Sequence, residues 1–171
     1  MNNETTIAIG ASGVRWLWIS GLVIVIDQLS KLWIERTMVL GESFTVLPVL
    51  DIVRAHNSGA AFSFLADAGG WQRWAFTALA VGVSIALVFW LRKLVLVTQS
   101  LLASGLVLIL GGAIGNVIDR IEHGYVVDFV HAHWGAASFP AFNVADAAIS
   151  IGAALVILDA LLEGRRARRT A

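Results

Sequence analysis

Long runs of hydrophobic residues, separated by short polar segments, dominate this chain. Four runs approach the ~20 apolar residues that a helix needs to cross a bilayer, and they cover 14–34, 74–91, 100–118 and 142–162. The first run lacks the cleavage site of a secretory signal and three more runs follow it, so we interpret it as a retained anchor. The pattern predicts an all-α membrane protein, a four-transmembrane-helix bundle in a single membrane domain over 1–171.

Two longer polar segments, 35–73 and 120–141, interrupt the hydrophobic runs. Within the first segment, Thr45 to Val53 is β-prone and has a turn signal at Pro48, which predicts a small β-sheet. Ala60 to Ala66 has an apolar face and is followed by "DAGG", which predicts a short surface helix. The second segment is expected to form a short loop or hairpin.

Positive residues in the short loops give the orientation, because lysine and arginine are enriched in cytoplasmic loops. The link between the second and third runs carries Arg92 and Lys93, and the tail carries four arginines. With four spans, both groups lie on one side. We therefore expect both termini to be cytoplasmic and the segments 35–73 and 120–141 to be extracytoplasmic. The bias is incomplete, since four cations fall on the outer side: Lys31, Arg36, Arg54 and Arg73.

Composition strengthens the membrane assignment and excludes several functions. Of the 171 residues, 58% are hydrophobic and 14% are charged, and the mean hydropathy is +0.79. A soluble domain of this size cannot bury so much apolar surface. The net charge is +0, so no nucleic-acid partner is expected. The chain has no cysteine, which excludes disulfides, thiolate nucleophiles and cysteine-ligated zinc.

Two aspartates stand among apolar neighbours at the same expected depth. Asp128 lies in "VVDFV" in the outer hairpin, and Asp146 lies in "NVADAAI" at the start of the fourth run. Neither has a cation beside it in the sequence, and ionisable residues at such positions indicate a functional site. Two adjacent carboxyls that share one proton can hydrolyse an amide with one water molecule. The pair fits a proton relay nearly as well, so both chemistries stay open.

Four other charged residues have simple structural interpretations. Asp27 and Lys31 are four residues apart on the first run, so they share a helix face in the favourable order for an ion pair. Asp119 and Arg120 follow the third run and are typical of an interfacial pair at a helix end.

The asparagines and glycines near the same level also have structural interpretations. Asn116 and Asn143 are typical of hydrogen bonds between helices in a bilayer. Asn143 precedes Asp146 by three residues, which is equally a signal for the start of a helix. Gly111 and Gly115 in "GGAIG" indicate close helix packing.

A metal site is not favoured by the spacing of the histidines. His131 and His133 lie in or near the outer hairpin, but no third or fourth ligand has suitable spacing. We therefore predict that the protein needs neither a metal nor another cofactor.

Four motifs in order resemble the bacterial lipoprotein signal peptidases, also called signal peptidase II, over nearly the whole chain. They are "DQLSK" at 27–31, "NSGAAFSF" at 57–64, "GNVIDRIEHGYVVDF" at 115–129 and "FNVADAAI" at 142–149. The resemblance implies an aspartyl endopeptidase of the bacterial cytoplasmic membrane. Its substrates would be prolipoproteins that carry diacylglyceryl on a cysteine, cut just before that cysteine. Membrane lipid would surround it, and no oligomer is implied.

The resemblance also implies roles for individual residues. Asp128 and Asp146 would be the catalytic pair, with the active site near the outer face. The substrate-binding residues would be Asn57, Gly59, Asn116, Arg120 and Asn143. The supporting residues would be Asp27, Lys31 and Asp119. The strands within 45–55 would form the extracytoplasmic sheet beside the substrate.

Two other functions remain as alternatives. A small proton-coupled transporter or channel subunit would use Asp128 and Asp146 as relay groups, and it would need acids at several depths. The inner halves of the second to fourth runs carry almost no polar residues, which argues against a conducting path. A non-enzymatic lipoprotein-binding scaffold would differ only by lacking turnover.

Overall fold

The computed structural model describes residues 12–59, 70–135 and 137–170, with side chains up to Arg165. Four long helices carry most of the chain: α1 (Leu17–Thr37), α2 (Trp71–Lys93), α3 (Leu96–Glu122) and α4 (Val144–Thr170). A single 3-10 turn, Gly13–Trp16, precedes α1. Each helix is long and apolar enough to cross a membrane, which confirms the four predicted spans.

The helices extend beyond the apolar runs at most ends, because a helix continues into polar residues that an apolar count leaves out. Two starts are exceptions: α1 begins at Leu17, after the 3-10 turn, and the fourth helix also begins inside its run. It begins at Val144 and not at Phe142, since the backbone of Phe142 pairs with Val130. The predicted start of the fourth span was therefore two residues early.

Helix α3 is the centre of the bundle and packs against the other three helices. Its glycines permit this approach. A Cβ atom on Gly111 would lie 2.8 Å from Cβ of Val23 in α1, and one on Gly112 would collide with the backbone oxygen of Ala145 in α4. The "GGAIG" stretch is therefore a packing surface, as the sequence predicts.

An antiparallel sheet covers one end of the bundle, which we call the sheet end. Its strands are β1 (Ser43–Leu47), β2 (Leu50–Asn57), β3 (Val126–Trp134) and β4 (Ala137–Ser138), in that order. The turn at 48–49 and the hairpin in 120–141 are confirmed. The pairing of β2 with β3, which joins the two polar segments into one sheet, was not predicted. The expected surface helix at Ala60 to Ala66 falls outside the described residues.

Strand β3 explains the apolar neighbours of Asp128. Val127 and Phe129 are buried and pack with Ile34 at the end of α1. The backbone N–H groups of Phe129 and Val130 both donate to the carbonyl oxygen of Phe142, at 3.0 and 2.8 Å. The strand is thus tied to the residues just before α4, which brings Asp128 beside Asn143.

Candidate active site

A buried lysine joins the polar residues at the sheet end. Nζ of Lys31 lies 2.8 Å from Oδ2 of Asp27 and 2.9 Å from Oδ2 of Asp119. It also donates to Oδ1 of Asn116 at 3.0 Å. The predicted ion pair of Asp27 with Lys31 is therefore present. Asp119 turns inward to Lys31, whereas Arg120 lies at a cavity, so these neighbours do not behave as an interfacial pair of their own.

The two aspartates beside Lys31 also hold the backbone of other elements. Oδ1 of Asp27 accepts from the N–H of Ala145 in the first turn of α4, at 2.9 Å. Oδ2 of Asp119 accepts from the N–H of Val127 in β3, at 3.1 Å. The ion pairs within the α1–α3 contact therefore set the positions of α4 and β3.

Gln28 belongs to this cluster, although the sequence analysis gave it no role. Its Nε2 donates to Oδ1 of Asp119 at 2.8 Å and to the carbonyl oxygen of Gly115 at 3.2 Å. Its place within "DQLSK", beside Asp27, was the only available signal. A glutamine inside an apolar run must find partners, because an unpaired amide in a bilayer is costly.

Asn116 connects Lys31 to Asp146 through the two sides of its amide. Its Oδ1 faces Lys31, so its Nδ2 faces the other way and donates to Oδ1 of Asp146 at 2.8 Å. An amide has one acceptor side and one donor side. The cation therefore selects the rotamer of Asn116 that presents N–H groups to the carboxyl of Asp146.

Asn143 caps α4 and also links the two aspartates. The N–H of Asp146 donates to Oδ1 of Asn143 at 2.9 Å, and Oδ2 of Asp146 accepts from the N–H of Asn143 at 3.3 Å. This is a reciprocal capping box. Nδ2 of Asn143 donates to Oδ1 of Asp128 at 2.8 Å and to Oδ1 of Asn116 at 3.2 Å. Both interpretations of Asn143, helix cap and interhelical link, are confirmed.

Asp128 is only 3% exposed, and its carboxyl is held by two asparagines. Oδ1 accepts from Asn143, and Oδ2 accepts from Nδ2 of Asn57 at 3.1 Å. Burial, and after it the negative charge of Asp146, raise the pKa of Asp128 to about 7. The carboxyl of Asp128 is therefore largely protonated below neutral pH.

A cavity of about 460 Å³ opens beside this network. Its polar end is formed by Asn57, Asn116, Arg120 and Asp146. Most of its remaining wall is apolar and comes from the segment before α4 and from α4 itself, with Val126, Phe139, Pro140, Phe142, Ile149 and Ile151. Asp128 does not line the cavity, but it accepts a hydrogen bond from Asn57, which does.

Arg120, at the polar end of the cavity, is joined to the end of β2 through Gly59. Nη1 of Arg120 donates to the carbonyl oxygen of Asn116 at 3.2 Å, and Nη2 lies 3.4 Å from that of Gly59. The N–H of Gly59 donates to Oδ1 of Asn57 at 3.0 Å, which fixes the orientation of that amide toward Asp128. All ten residues that the sequence analysis selected therefore lie in one connected region.

The two histidines of strand β3 face a different acid. Nδ1 of His131 lies 3.6 Å and Nε2 of His133 lies 3.3 Å from Oδ2 of Asp51 in β2. Within the described parts of the chain, no group of three or more histidine, aspartate or glutamate side chains could hold a metal ion.

Comparison with known proteins assigns the chain to a family. Residues 19–162 match the sequence profile of the family described as Signal peptidase (SPase) II. A lipoprotein signal peptidase of Shewanella halifaxensis is 50% identical over 159 residues, which are 93% of each chain. A lipoprotein signal peptidase of Shewanella woodyi is 53% identical over 150 residues, which are 88% of this chain and 85% of the relative.

A solved structure has the same fold. A bacterial membrane enzyme determined by the in meso method superimposes with a TM-score of 0.76 at 34% identity, covering 91% of this chain and 89% of the other. The family profile covers most of the bundle and the whole of the polar network. The match in sequence and the match in fold agree, and the chain belongs to the signal peptidase II family.

Proposed function

We propose that this protein cleaves the signal peptide from prolipoproteins that carry diacylglyceryl on a cysteine, just before that cysteine. Its relatives are named lipoprotein signal peptidases, and Asp128 and Asp146 are the catalytic pair in this proposal. One observation carries it. Two aspartates are linked through the amides of Asn116 and Asn143 at the polar end of an apolar cavity in a membrane-spanning bundle.

The shape of the cavity supports a lipid-modified peptide as substrate. Its apolar wall continues along α4 from Ala147 to Ile151, about one helical turn beyond Asp146. Acyl chains are suited to such a wall, whereas a peptide bond needs the hydrogen-bonding groups at the polar end. A lipid anchor that lies in the bilayer would therefore hold the scissile bond at the level of Asp146.

Charge balance supports one protonated carboxyl in the pair. Four aspartates share two cations at this end of the bundle, namely Asp27, Asp119, Asp128 and Asp146 with Lys31 and Arg120. Within the described residues, neither Asp128 nor Asp146 accepts a hydrogen bond from a cation, and the pKa of Asp128 is about 7. We assign Asp128 as the proton donor and Asp146 as the ionised base, because Asp146 is the member that lines the cavity.

The reaction follows from these two protonation states. Asp146 takes a proton from a water molecule as the water oxygen bonds to the carbonyl carbon before the lipidated cysteine. Asp128 gives its proton to the carbonyl oxygen, which forms a gem-diol. The C–N bond then breaks, the cysteine nitrogen takes the proton held by Asp146, and a diol hydroxyl returns a proton to Asp128. Water is consumed, and both carboxyls regain their starting states.

Asn57 controls the access of substrate to Asp128. Its amide covers Oδ2 of Asp128 on the cavity side, so the substrate carbonyl must displace this hydrogen bond before Asp128 can donate to it. Arg120 lies across the cavity and offers further N–H donors for peptide carbonyls. Gly59 and Arg120 hold the end of β2 from which Asn57 projects.

The proposed orientation places the sheet and the active site on the extracytoplasmic side and both termini in the cytoplasm. Arg92 and Lys93 are exposed at the opposite end, as cytoplasmic cations are. Two cations at the sheet end instead form hydrogen bonds to the backbone. Arg54 donates to the carbonyl oxygens of Glu35 and Met38, and Arg73 donates to that of Ile121.

Replacing either aspartate should abolish turnover without unfolding the protein. Asp128→Asn and Asp146→Asn should each lower the cleavage rate of a diacylglyceryl-modified lipobox peptide by on the order of 10³-fold or more. The double variant should be barely worse than either single variant, because the pair acts as one unit. Mass spectrometry of the products measures this, with Asp159→Asn as the control. If the losses of the two single variants multiply in the double variant, the two aspartates do not share one water molecule. If the unmodified protein binds the lipobox peptide fully but does not cleave it, the result would favour a non-enzymatic lipoprotein-binding scaffold.

The pH dependence of turnover should report the protonation state of Asp128. Turnover should fall as the pH rises through about 7, since Asp128 then loses the proton that it donates.

The free energy of unfolding should change over the same pH range. The pKa of Asp128 is above its ordinary value of about 3.9, so its contribution to folding is complete below about pH 4 and is lost as the pH rises through 7.

The control for this pH effect is Asp128→Asn, which cannot titrate. The difference in melting temperature between the unmodified protein and this variant should decrease from pH 4 to pH 8. A difference that stays constant over this range would show that Asp128 is already ionised at low pH, and the assignment of donor and base would be reversed.

Lys31 should position Asn116 as well as stabilise the fold. Lys31→Met leaves Asp27 and Asp119 buried without a cation, which costs about 3–5 kcal/mol of unfolding free energy. Adding Asp27→Asn and Asp119→Asn removes those charges and should restore part of the stability. Turnover should stay low, because Asn116 has lost the cation that orients its amide. Lys93→Met, at the exposed end of α2, is the control. Normal kcat in the triple variant would leave Lys31 with a purely structural role.

Orientation can be read from single cysteines, because the chain has none. Trp134 is 80% exposed in β3, and Val97 is 90% exposed at the start of α3. A membrane-impermeant maleimide should label Trp134→Cys in intact cells, and it should label Val97→Cys only after the cells are permeabilised. The reverse pattern would put Asp128 and Asp146 on the cytoplasmic side and contradict the proposed substrate.

A further inference from the structure

A second concave surface runs from the start of α1 to the middle of the bundle. It is a groove of about 510 Å³ between α1 and α2, with α3 as its floor. Within the described residues, α1 and α2 share no extensive contact and are both held by α3. The groove is lined by Gly21 and Ile24 of α1, Ile85 and Phe89 of α2, and Leu110 and Ile114 of α3, among others.

The groove offers no polar group to a ligand. Its two serines already donate to backbone carbonyl oxygens, Ser20 to Val107 and Ser84 to Ala80, both at 2.7 Å. At Gly21, a Cβ atom would have no other atom within 4 Å, so the absent side chain leaves open space. An occupant of this groove must therefore be apolar along its length, as an acyl chain is.

Three cations lie near one end of the groove. Arg92 and Lys93 form the last turn of α2 and are exposed, and Phe89, one turn earlier, lines the groove. Arg15 lies in the 3-10 turn, two residues before Leu17, which is also in the groove wall. The turn is joined to the end of α2, since the N–H of Gly13 donates to the carbonyl oxygen of Leu94 at 3.3 Å.

Among the described residues, those that frame this surface include no acid. The 3-10 turn and the first turn of α1 contain none, and the last turn of α2 carries only the two cations. Asp159 and Glu163 belong to α4, which packs mainly on α3 and contributes no residue to the lining of the groove. The mouth of the groove therefore attracts negative charge, while its interior attracts hydrocarbon.

We propose that this groove binds one anionic phospholipid of the leaflet opposite the active site. An acyl chain lies between α1 and α2, and the headgroup phosphate lies beside Arg15, Arg92 and Lys93. Basic residues at the mouth of an interhelical pocket are suited to anionic headgroups. A neutral phospholipid can fill the groove but gains less from the cations. The site is independent of the catalytic proposal, because it shares no residue with the active site.

Thermal unfolding and native mass spectrometry of detergent-purified protein can test this site. Phosphatidylglycerol should raise the melting temperature and stay bound more than phosphatidylcholine with identical acyl chains. Arg92→Gln and Lys93→Gln should each lower the apparent affinity for phosphatidylglycerol about fivefold and leave that for phosphatidylcholine unchanged. These exposed residues lie outside the active site, so cleavage in detergent should be normal.

Substitutions at two glycines can distinguish lipid binding in the groove from general contact with lipid. Gly21→Leu should fill the groove and remove the retained lipid. Gly82→Leu is the matched control, since Gly82 in α2 also has open space around a Cβ atom but does not line the groove. Equal stabilisation by both lipids would overturn the proposal, and so would unchanged retention in Gly21→Leu. A dimer that Gly21→Leu abolishes would identify the occupant as a second copy of the chain.

Discussion

The structure depends on one buried cation at the sheet end of the bundle. Lys31 is nearly inaccessible and lies between Asp27 and Asp119, at 2.8 and 2.9 Å. Removing three charges from water is costly, and only close mutual contacts and further hydrogen bonds offset that cost. Those further bonds reach Ala145 in α4 and Val127 in β3. One ion cluster on α1 and α3 therefore fixes the start of α4, which carries Asp146, and strand β3, which carries Asp128.

From this cluster, orientation passes through side-chain amides to the carboxyls of Asp146 and Asp128. Each asparagine has distinct donor and acceptor sides, so fixing one side fixes the other. Lys31 fixes Asn116, which faces Asp146, and the capping box fixes Asn143, which faces Asp128. In a family of signal peptidases, such preorganisation matters because the polar groups need not reorganise during the reaction. The apolar wall of the cavity begins directly beside these carboxyls.

The two sides of α3 are built differently. Toward α4, Gly105 and Gly112 on α3 and Gly152 on α4 bring the backbones so close that a Cβ atom at any of them would collide. This tight contact keeps Asn116 and Asp146 in register. Between α1 and α2, open space remains, and lipid can fill it at little cost because the walls are apolar. The tight contact thus holds α4 along α3 at the polar residues and beyond them, and the looser contact lies between α1 and α2.

The sequence by itself determined the features that depend on local pattern. The four spans, the strands around Pro48, the helix cap at Asn143 and the glycine surface all follow from residues close together in the chain. Tertiary structure alone decided the rest. The pairing of β2 with β3, the partner of Asp119 and the role of Gln28 join residues that are far apart in sequence. The protonation of Asp128 was also undecided, because its pKa depends on burial and on Asp146 in another element. Desolvation and charge act through space, and the chain order does not give those distances.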